Sequence, residues 1–253
     1  MPEQVSLPKG TRPEGTQTEQ EASRRVREMF TRIAPRYDLL NHLLSAQMDR
    51  WWRARAAREL KPILRRPDAL VLDLCCGTGD LAFSLARQAK ASIVGADFSH
   101  TMLVRANAKS ASGNGTAALR FFEADALRLP MANNSLDLVT TAFGFRNLAN
   151  YENGLREIYR VLKSGGSLAI LEFAEPAPGM LGDAYRFYTR KLLPKIGALI
   201  SGDREAYAYL PKSVSRFFLP EELAALMISV GYRPVRYQVM TLGSVALHIA
   251  VRP

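Results

Sequence analysis

Cysteine is nearly missing from this 253-residue sequence: two occur, Cys75 and Cys76, and they are adjacent. Adjacent cysteines provide neither a disulfide framework nor a CxxC metal pair, so packing alone must hold the interior and no metal centre is expected. Long apolar runs are missing too. The longest, such as Ser167 to Phe173, fall far short of the roughly 18 to 20 residues that a membrane-spanning helix needs. The N-terminus, MPEQVSLPKGTRPEGTQTEQEASRR, lacks the apolar stretch of a secretion signal. Its wealth of Pro, Gly, Gln and Glu predicts a disordered tail over residues 1–20 and a cytoplasmic protein. No internal repeat or further low-complexity block follows.

What is present is a chain 47 % hydrophobic with a net charge of +10. That length and composition suit one α/β domain over residues 21–253, with helical additions. The excess charge is local: twelve Lys/Arg lie between Arg24 and Arg66, against Glu28, Asp38, Asp49 and Glu59. Such a stretch meets nucleic acid, an anionic membrane, or only water.

The pattern along the chain supplies the fold. An N-terminal helical cap is expected over about residues 21–66, with Val26, Met29, Phe30 and Ile33 on one helical face and a break at Pro35. From Ala69 strands and helices alternate: strand Ala69 to Leu74, helix Asp80 to Lys90, strand Ser92 to Ala96, helix Ser99 to Ser110, strand Ala118 to Glu123. Strand Leu136 to Ala142, helix Tyr151 to Leu162, a KSGG stop and strand Ser167 to Phe173 follow. This predicts five parallel strands with right-handed crossovers, a Rossmann-like doubly wound sheet. A helical insertion over about residues 179–216 interrupts the alternation, with Tyr185, Phe187, Tyr188, Leu192, Leu193, Ile196, Leu199 and Tyr207 as a core stripe or a channel lining. Helix Pro220 to Val230 and a hairpin, Val235 to Met240 and Ser244 to Val251, end the chain.

The stretch VLDLCCGTGD, Val71 to Asp80, runs a buried strand into a glycine turn. In an open α/β sheet the ligand sits at the carboxyl ends of the strands, where backbone must approach it closely, and Gly77 and Gly79 meet that need. The spacing Gly77-Thr-Gly79-Asp-Leu-Ala82 fits a dinucleotide fingerprint, with Asp97 18 residues beyond Gly79. Two further acids favour S-adenosylmethionine over a nicotinamide: Asp73 inside the strand, facing the ammonium end, and Asp125 after the third strand, at the adenine amine. Asp97 can then accept from both ribose hydroxyls. Each acid also has a structural reading as a helix or turn cap. Cys75 and Cys76 need no chemistry: they pack against the sheet while the turn is left to the glycines, and burial keeps thiols inert.

Four stretches carry a resemblance: YDLLNHLLSAQMDRWW (Tyr37 to Trp52), VLDLCCGTGD, AFGFRNLANYENGLREIYRVLKSGGSLAILEF (Ala142 to Phe173) and LGSVALH (Leu242 to His248). Together they resemble the ubiquinone/menaquinone biosynthesis C-methyltransferase family, class I S-adenosylmethionine-dependent enzymes that methylate a polyprenyl quinol ring. The likeness spans about Phe30 to the C-terminus. The chain departs from the family's usual pattern at Leu40, Asp49, Ser164 and Ala174. The resemblance implies cofactor positions at Thr78, Asp97, Asp125 and Ala126, to which Ala142 at the end of the fourth strand is added. CCGTGD looks more like the menaquinone enzymes, so demethylmenaquinol is the expected substrate ahead of a methoxybenzoquinol.

Within FGFRN, at the carboxyl end of the fourth strand, Arg146 and Asn147 are expected to face the pocket, with Arg146 holding an oxyanion or a proton-accepting water. Its alternative is an ordinary cap or surface arginine. Tyr37, Asp38 and Asn41 are expected in a lid, Tyr37 contributing its hydroxyl, or else only capping a helix. His248 is a weaker candidate. A substrate resident in the membrane implies peripheral contact with an anionic surface, at the inner face of the cell membrane, with Trp51 and Trp52 as interfacial anchors or as buried residues. Nucleic acid is not expected, since FGFRN stands where a base-holding NPPY motif would be. The oligomeric state stays open.

Overall fold

Strands β1 (Leu70–Leu74) and β4 (Leu136–Ala142) are buried along nearly their whole length. Near-continuous apolar sequence is what a parallel strand covered on both faces requires. The computed structural model describes residues 9–45, 47–112, 119–176, 179 and 204–253, and side chains throughout these except at 40, 41, 43, 44 and 204–208. Its seven strands, completed by β2 (Ser92–Asp97), β3 (Arg120–Glu123), β5 (Leu162–Phe173), β6 (Val235–Met240) and β7 (Val245–Val251), form one sheet in the order β3-β2-β1-β4-β5-β7-β6. The first five are parallel, and β7 lies antiparallel between β5 and β6. The chain steps outward from β1 to β3 and then returns to β4, so strand order reverses between β1 and β4. That switch point is where an open α/β sheet leaves a crevice.

Alternation along each strand serves two cores. Leu72, Val139 and Ile170 face Leu155 and Ile158 of α7 (Tyr151–Val161) and Met227 of α9 (Pro220–Val230). Val71, Leu138 and Leu171 face Trp52 and Ala56 of α3 (Met48–Glu59) together with Leu81 and Leu85 of α5 (Asp80–Ala86). The remaining described helices are α1 (Glu19–Ile33), α2 (Tyr37–Leu44), α4 (Lys61–Leu64), α6 (His100–Ala111) and α8 (Arg204–Ser215). Among the described residues no helix is long and apolar enough to cross a membrane.

Several boundaries differ from the sequence reading. Residues 9–20, expected within a disordered tail over 1–20, are ordered and bonded to the body: Tyr151 N donates to Lys9 O (2.9 Å) and Thr11 N to Leu148 O (2.8 Å). Helix α1 then starts at a capping box, Thr18 accepting from Glu21 N while the Glu21 carboxylate accepts from Thr18 N. Pro35 breaks the helix into a single 3₁₀ turn, Ala34–Arg36, before α2. The KSGG segment is not a helix stop. Helix α7 ends at Val161, Leu162 already pairs with Leu136, and residues 163–166 form an irregularity within β5, with Gly165 at φ 77°. The hairpin β6/β7 is present, turning through Thr241–Gly243. Of the insertion over 179–216, the helix α8 is described, while Tyr185, Phe187, Tyr188, Leu192, Leu193, Ile196, Leu199 and the Tyr207 side chain lie outside the described residues.

Candidate active site

The turn from β1 into α5 holds three residues in the left-handed region: Cys75 (φ 54°), Gly77 (φ 55°) and Gly79 (φ 87°). The glycines occupy it without a steric cost, but the turn is not left to them alone, because Cys75 adopts the same strained conformation. Space for its side chain comes from Gly144, at the end of β4: a Cβ there would lie 2.4 Å from Cys75 Cβ. Gly144→Ala is therefore expected to cost about 1–3 kcal/mol through overpacking against a backbone that cannot retreat. Urea denaturation checks this, and an unchanged midpoint would refute it. Burial pushes both the Cys75 and Cys76 thiols well above their usual pKa, so neither is a ready nucleophile.

Asp73 and Asp97 brace this turn from two strands. Asp97 is 5 % exposed, and its carboxylate accepts from Gly77 N and Ser99 N, both at 2.9 Å. Asp73 accepts from Ala82 N (2.9 Å) and from the Thr140 hydroxyl (3.0 Å), which ties β1 to the first turn of α5 and to β4. Burial raises both carboxyls, Asp97 to about 6 and Asp73 to about 7, against the hydrogen bonds that favour their ionised forms. The capping reading of Asp73 thus holds, since it accepts from the first turn of α5, whereas Asp97 is not the N-cap of α6: that position is Ser99, whose N–H donates to Asp97. Both residues also line the cavity at the switch point.

That cavity gathers residues from separate parts of the chain. Tyr37, Asp73, Gly77, Thr78, Asp97, Ala126, Ala142 and Asn147, all expected at the site, form its wall with Phe98, Met102, Ala124 and Phe143. An apolar slot beside two carboxylates and a turn without side chains at Gly77 fits S-adenosylmethionine: a flat base, ribose hydroxyls and an ammonium group find matching surfaces. Gly79 and Asp125, also expected at the site, do not line the cavity. Gly79 is the N-cap position of α5, where a Cβ would meet Phe83 at 2.9 Å. Asp125 is exposed and accepts from Leu127 N (2.9 Å), closing the turn after β3.

Arg146 does not face the cavity. It is 5 % exposed and paired with Glu172 on the neighbouring strand, Nη1 to Oε1 at 2.8 Å, while its own N–H donates to Glu172 Oε2 at 3.1 Å. Its guanidinium also donates to Phe143 O and to the Ser213 hydroxyl (3.3 Å) and lies over the Phe173 ring. Burial is the largest single influence and opposes the charge, but Glu172, Tyr209 and Tyr37 together more than offset it, so the pKa is raised and the arginine stays ionised. Arg146 is thus a strut for the loop that carries Phe143 and Asn147, and its guanidinium does not hold an oxyanion. His248 is likewise absent from the cavity wall: it is 2 % exposed, Nε2 lies 2.8 Å from Pro220 O, and burial lowers its pKa to about 4. Of the two tryptophans, Trp52 is core, its indole donating to Thr241 Oγ1 (2.8 Å), and Trp51 is 50 % exposed.

A model of the ubiE/COQ5 methyltransferase family matches residues 17–252. The chain belongs to this family. It is 50 % identical to the demethylmenaquinone methyltransferase of Thermus thermophilus over 89 % of this chain and all of that one. Identity to the demethylmenaquinone methyltransferase of Deinococcus radiodurans is 49 %, covering 88 % of this chain and 91 % of that one. Among solved structures, a SAM-dependent methyltransferase from Thermotoga maritima, described as a possible histamine N-methyltransferase, superposes with a TM-score of 0.64 at 19 % identity. It covers 90 % of this chain and all of that one, and the likeness shows the fold.

In this ubiE/COQ5 family chain the N-terminal helices cover the crevice. Ser23 and Phe30 of α1 and Tyr37 of α2 reach the cavity wall. An ionic network ties α2 to the glycine turn: Thr78 Oγ1 donates to Asp38 (2.5 Å), and Lys109 Nζ reaches Asp38 (2.6 Å), Thr78 Oγ1 and Asp80 (both 2.9 Å). Beside it His42, Asp49 and Asp80 bring potential ligand atoms within 4.8 Å of one another, but Arg53 reaches both carboxylates and supplies the counter-charge. The Asn41 side chain lies outside the described residues.

Glu172 and Tyr209 were not among the expected site residues. A lone acid within the apolar run SLAILEF was the available signal for Glu172; Tyr209 gave none. The Tyr209 hydroxyl donates to Asn147 Oδ1 (3.0 Å) and lies 2.8 Å from Thr11 Oγ1. Tyr209→Phe is expected to lower kcat roughly tenfold with cofactor affinity unchanged, since it removes one buried hydrogen bond that orients Asn147. Steady-state kinetics beside calorimetric titration separates the two, and an unaltered kcat would dismiss Tyr209 as a positioning residue.

Proposed function

We propose that this chain methylates a ring carbon of a polyprenyl quinol, converting demethylmenaquinol to menaquinol with S-adenosylmethionine. The observation that carries this reading is the single cavity in which the cofactor-type residues Asp97, Gly77 and Thr78 meet Tyr37, Phe143 and Asn147. When bound, the cofactor supplies an electrophilic methyl group on a sulfonium. Asp97 would accept from its ribose hydroxyls, and Phe98, Met102, Ala124 and Ala126 would enclose its base.

The ring carbon becomes nucleophilic when an adjacent hydroxyl gives its proton to water. Once that carbon carries the methyl group it loses its own hydrogen as a proton, the oxygen is reprotonated, and one proton is released in net. Tyr37 and Asn147 are the polar groups of the wall on the substrate side, and they hold that hydroxyl and orient the ring. Phe143 offers a flat apolar surface to the ring. Arg146 acts at one remove, fixing the loop through Phe143 O and Glu172.

The substrate's prenyl chain resides in the membrane, so the protein works in the cytoplasm against the inner face of the cell membrane. The exposed Trp51 and the basic N-terminal helices support that contact. The test is transfer of label from S-adenosylmethionine to reduced demethylmenaquinone in liposomes, beside a methoxybenzoquinol analogue and total RNA. Label is expected in demethylmenaquinol; cofactor binding without label in either quinol would overturn the reading.

A further inference from the structure

Residues 9–14 precede the span 17–252 matched by the family model, yet they are bonded to the loop that follows β4. Lys9 O accepts from Tyr151 N, Thr11 N donates to Leu148 O (2.8 Å), and the Arg12 guanidinium donates to Ala149 O (2.7 Å). A Cβ at Gly10 would lie 1.9 Å from Ala149 O, so a residue without a side chain is what lets this strap run so close. Asn147, Leu148 and Ala149 are themselves part of the cavity wall. The strap therefore braces a stretch of backbone that faces ligand.

One strap side chain reaches further. Thr11 is 7 % exposed, and its Oγ1 lies 2.8 Å from the Tyr209 hydroxyl, which donates to Asn147 Oδ1 at 3.0 Å. Burial pushes the Tyr209 pKa up, so the phenol keeps its proton beside Arg146 and Glu172. A phenol has one proton to give. With that proton on Asn147 Oδ1, Tyr209 accepts from Thr11, and the chain runs from Thr11 through Tyr209 to Asn147. It also fixes the amide. Oδ1 turns to Tyr209, and Nδ2 lies 3.5 Å from Phe143 O, an oxygen that the opposite orientation would set against Oδ1. The second N–H of Nδ2 has no protein partner among the described residues. That donor is what Asn147, a wall residue, has left to offer a ligand.

We infer that Thr11 is a positioning residue for methyl transfer: through Tyr209 it holds the Asn147 amide so that an N–H is offered to the quinol oxygen that becomes anionic. The identity of that oxygen rests on the quinol reading above; the chain of hydroxyls stands on the structure alone. The amide neither takes nor gives a proton. It stabilises negative charge as it develops, and each hydrogen bond behind it polarises the next. Turned the other way, Asn147 would present a carbonyl oxygen to an oxyanion and oppose the same step.

The experiment uses the full chain as Thr11→Val, which keeps the shape and removes the hydroxyl, and as Thr11→Ser, which keeps the hydroxyl. Thr11→Val is expected to lower kcat with demethylmenaquinol roughly fivefold, the equivalent of one buried hydrogen bond, with calorimetric affinity for S-adenosylmethionine unchanged. Thr11→Ser is expected to match the wild type, and Thr11→Val to add nothing further in a Tyr209→Phe background. A strap that only stabilised the fold would give neither result. Urea midpoints establish that each variant is folded, and Thr11→Ala, expected to act in the same direction, is a second deletion of the hydroxyl. Another readout needs no turnover. The ionisation constant of 1-naphthol bound beside S-adenosylhomocysteine, followed by absorbance, is expected to fall roughly fivefold in Thr11→Val. Wild-type kcat in the folded hydroxyl deletions, losses from Thr11→Val and Tyr209→Phe that multiply, or an unmoved naphthol ionisation would each overturn the inference. A wild type that leaves demethylmenaquinol unmethylated while the naphthol shift is present would count against the quinol reading and support the chain from Thr11 to Asn147.

Discussion

Replacing Glu172 by alanine is expected to destabilise the fold by about 3–5 kcal/mol, because it leaves the Arg146 guanidinium buried without its counter-ion. Glu172 is 1 % exposed and accepts three hydrogen bonds: from Arg146 Nη1 (2.8 Å), Arg146 N (3.1 Å) and Phe173 N (2.9 Å). Glu172→Gln keeps one acceptor oxygen and is expected to lose less. Urea denaturation with a constant m-value reads the difference, and a loss below about 1 kcal/mol for the alanine variant would show that the pair is no strut. Removing both partners, as Glu172→Leu/Arg146→Met, is expected to recover part of the stability without restoring methyl transfer, since the loop bearing Asn147 loses its tether to Phe143 O.

Asp97→Ala is expected to weaken S-adenosylmethionine binding about 100-fold or more. The carboxylate has two tasks at once: it accepts from Gly77 N and Ser99 N, which shapes the turn, and it presents acceptors to the ribose hydroxyls. Losing a hydrogen bond to a charged group costs about 1.5–3 kcal/mol, so two such losses reach that range. The wild type should show the same dependence through pH. With its pKa raised to about 6 in the free protein, Asp97 becomes protonated as pH falls below that value. The dissociation constant should then rise by roughly tenfold per unit, and calorimetric titration between pH 5 and 8 reads it. A flat profile would mean that the ionised carboxylate is not what binds. The same group has the opposite effect on the fold. Its folded pKa lies above the unfolded value of about 3.9, so the native state holds more protons between those limits. Its contribution to stability is full below about pH 4 and is lost as pH rises through about 6.

Much of this arrangement was legible in the residues. Strand β4 was readable to its ends because an apolar run is bounded by Asn133, Asn134 and Ser135 before it and by Gly144 after it, and α9 because Pro220 and Gly231 stand at its two ends. Gly77 and Gly79 marked the crevice for the same local reason. Contacts made across the sheet were not legible. The pairing of Arg146 with Glu172 depends on β4 and β5 lying side by side, and the position of Arg146 after a strand end suggested a side chain turned toward ligand. The capping role of Asp73 could be named, but not its choice of Ala82 N and Thr140, which comes from the packing of α5 on two strands. The KSGG segment misled because a glycine pair after a helix serves equally to end the helix or to bulge a strand, and the early pairing of Leu162 with Leu136 decided between them.

The N-terminal segment that closes the crevice also fixes when the crevice can exist. Thr11 meets Tyr209, 198 residues away, and Lys212 meets Glu14 across the same separation. Contacts of such long range form late, because the intervening chain must first collapse. On the ribosome, Thr11 and Glu14 emerge before the sheet; Thr11 can pair with Leu148 once β4 has been made, but its contact with Tyr209, and that of Glu14 with Lys212, must wait for α8. The sheet can therefore assemble ahead of the cavity's cover. A nascent or partly folded chain would hold the glycine turn, open to solvent, before it held an enclosed methyl-transfer chamber.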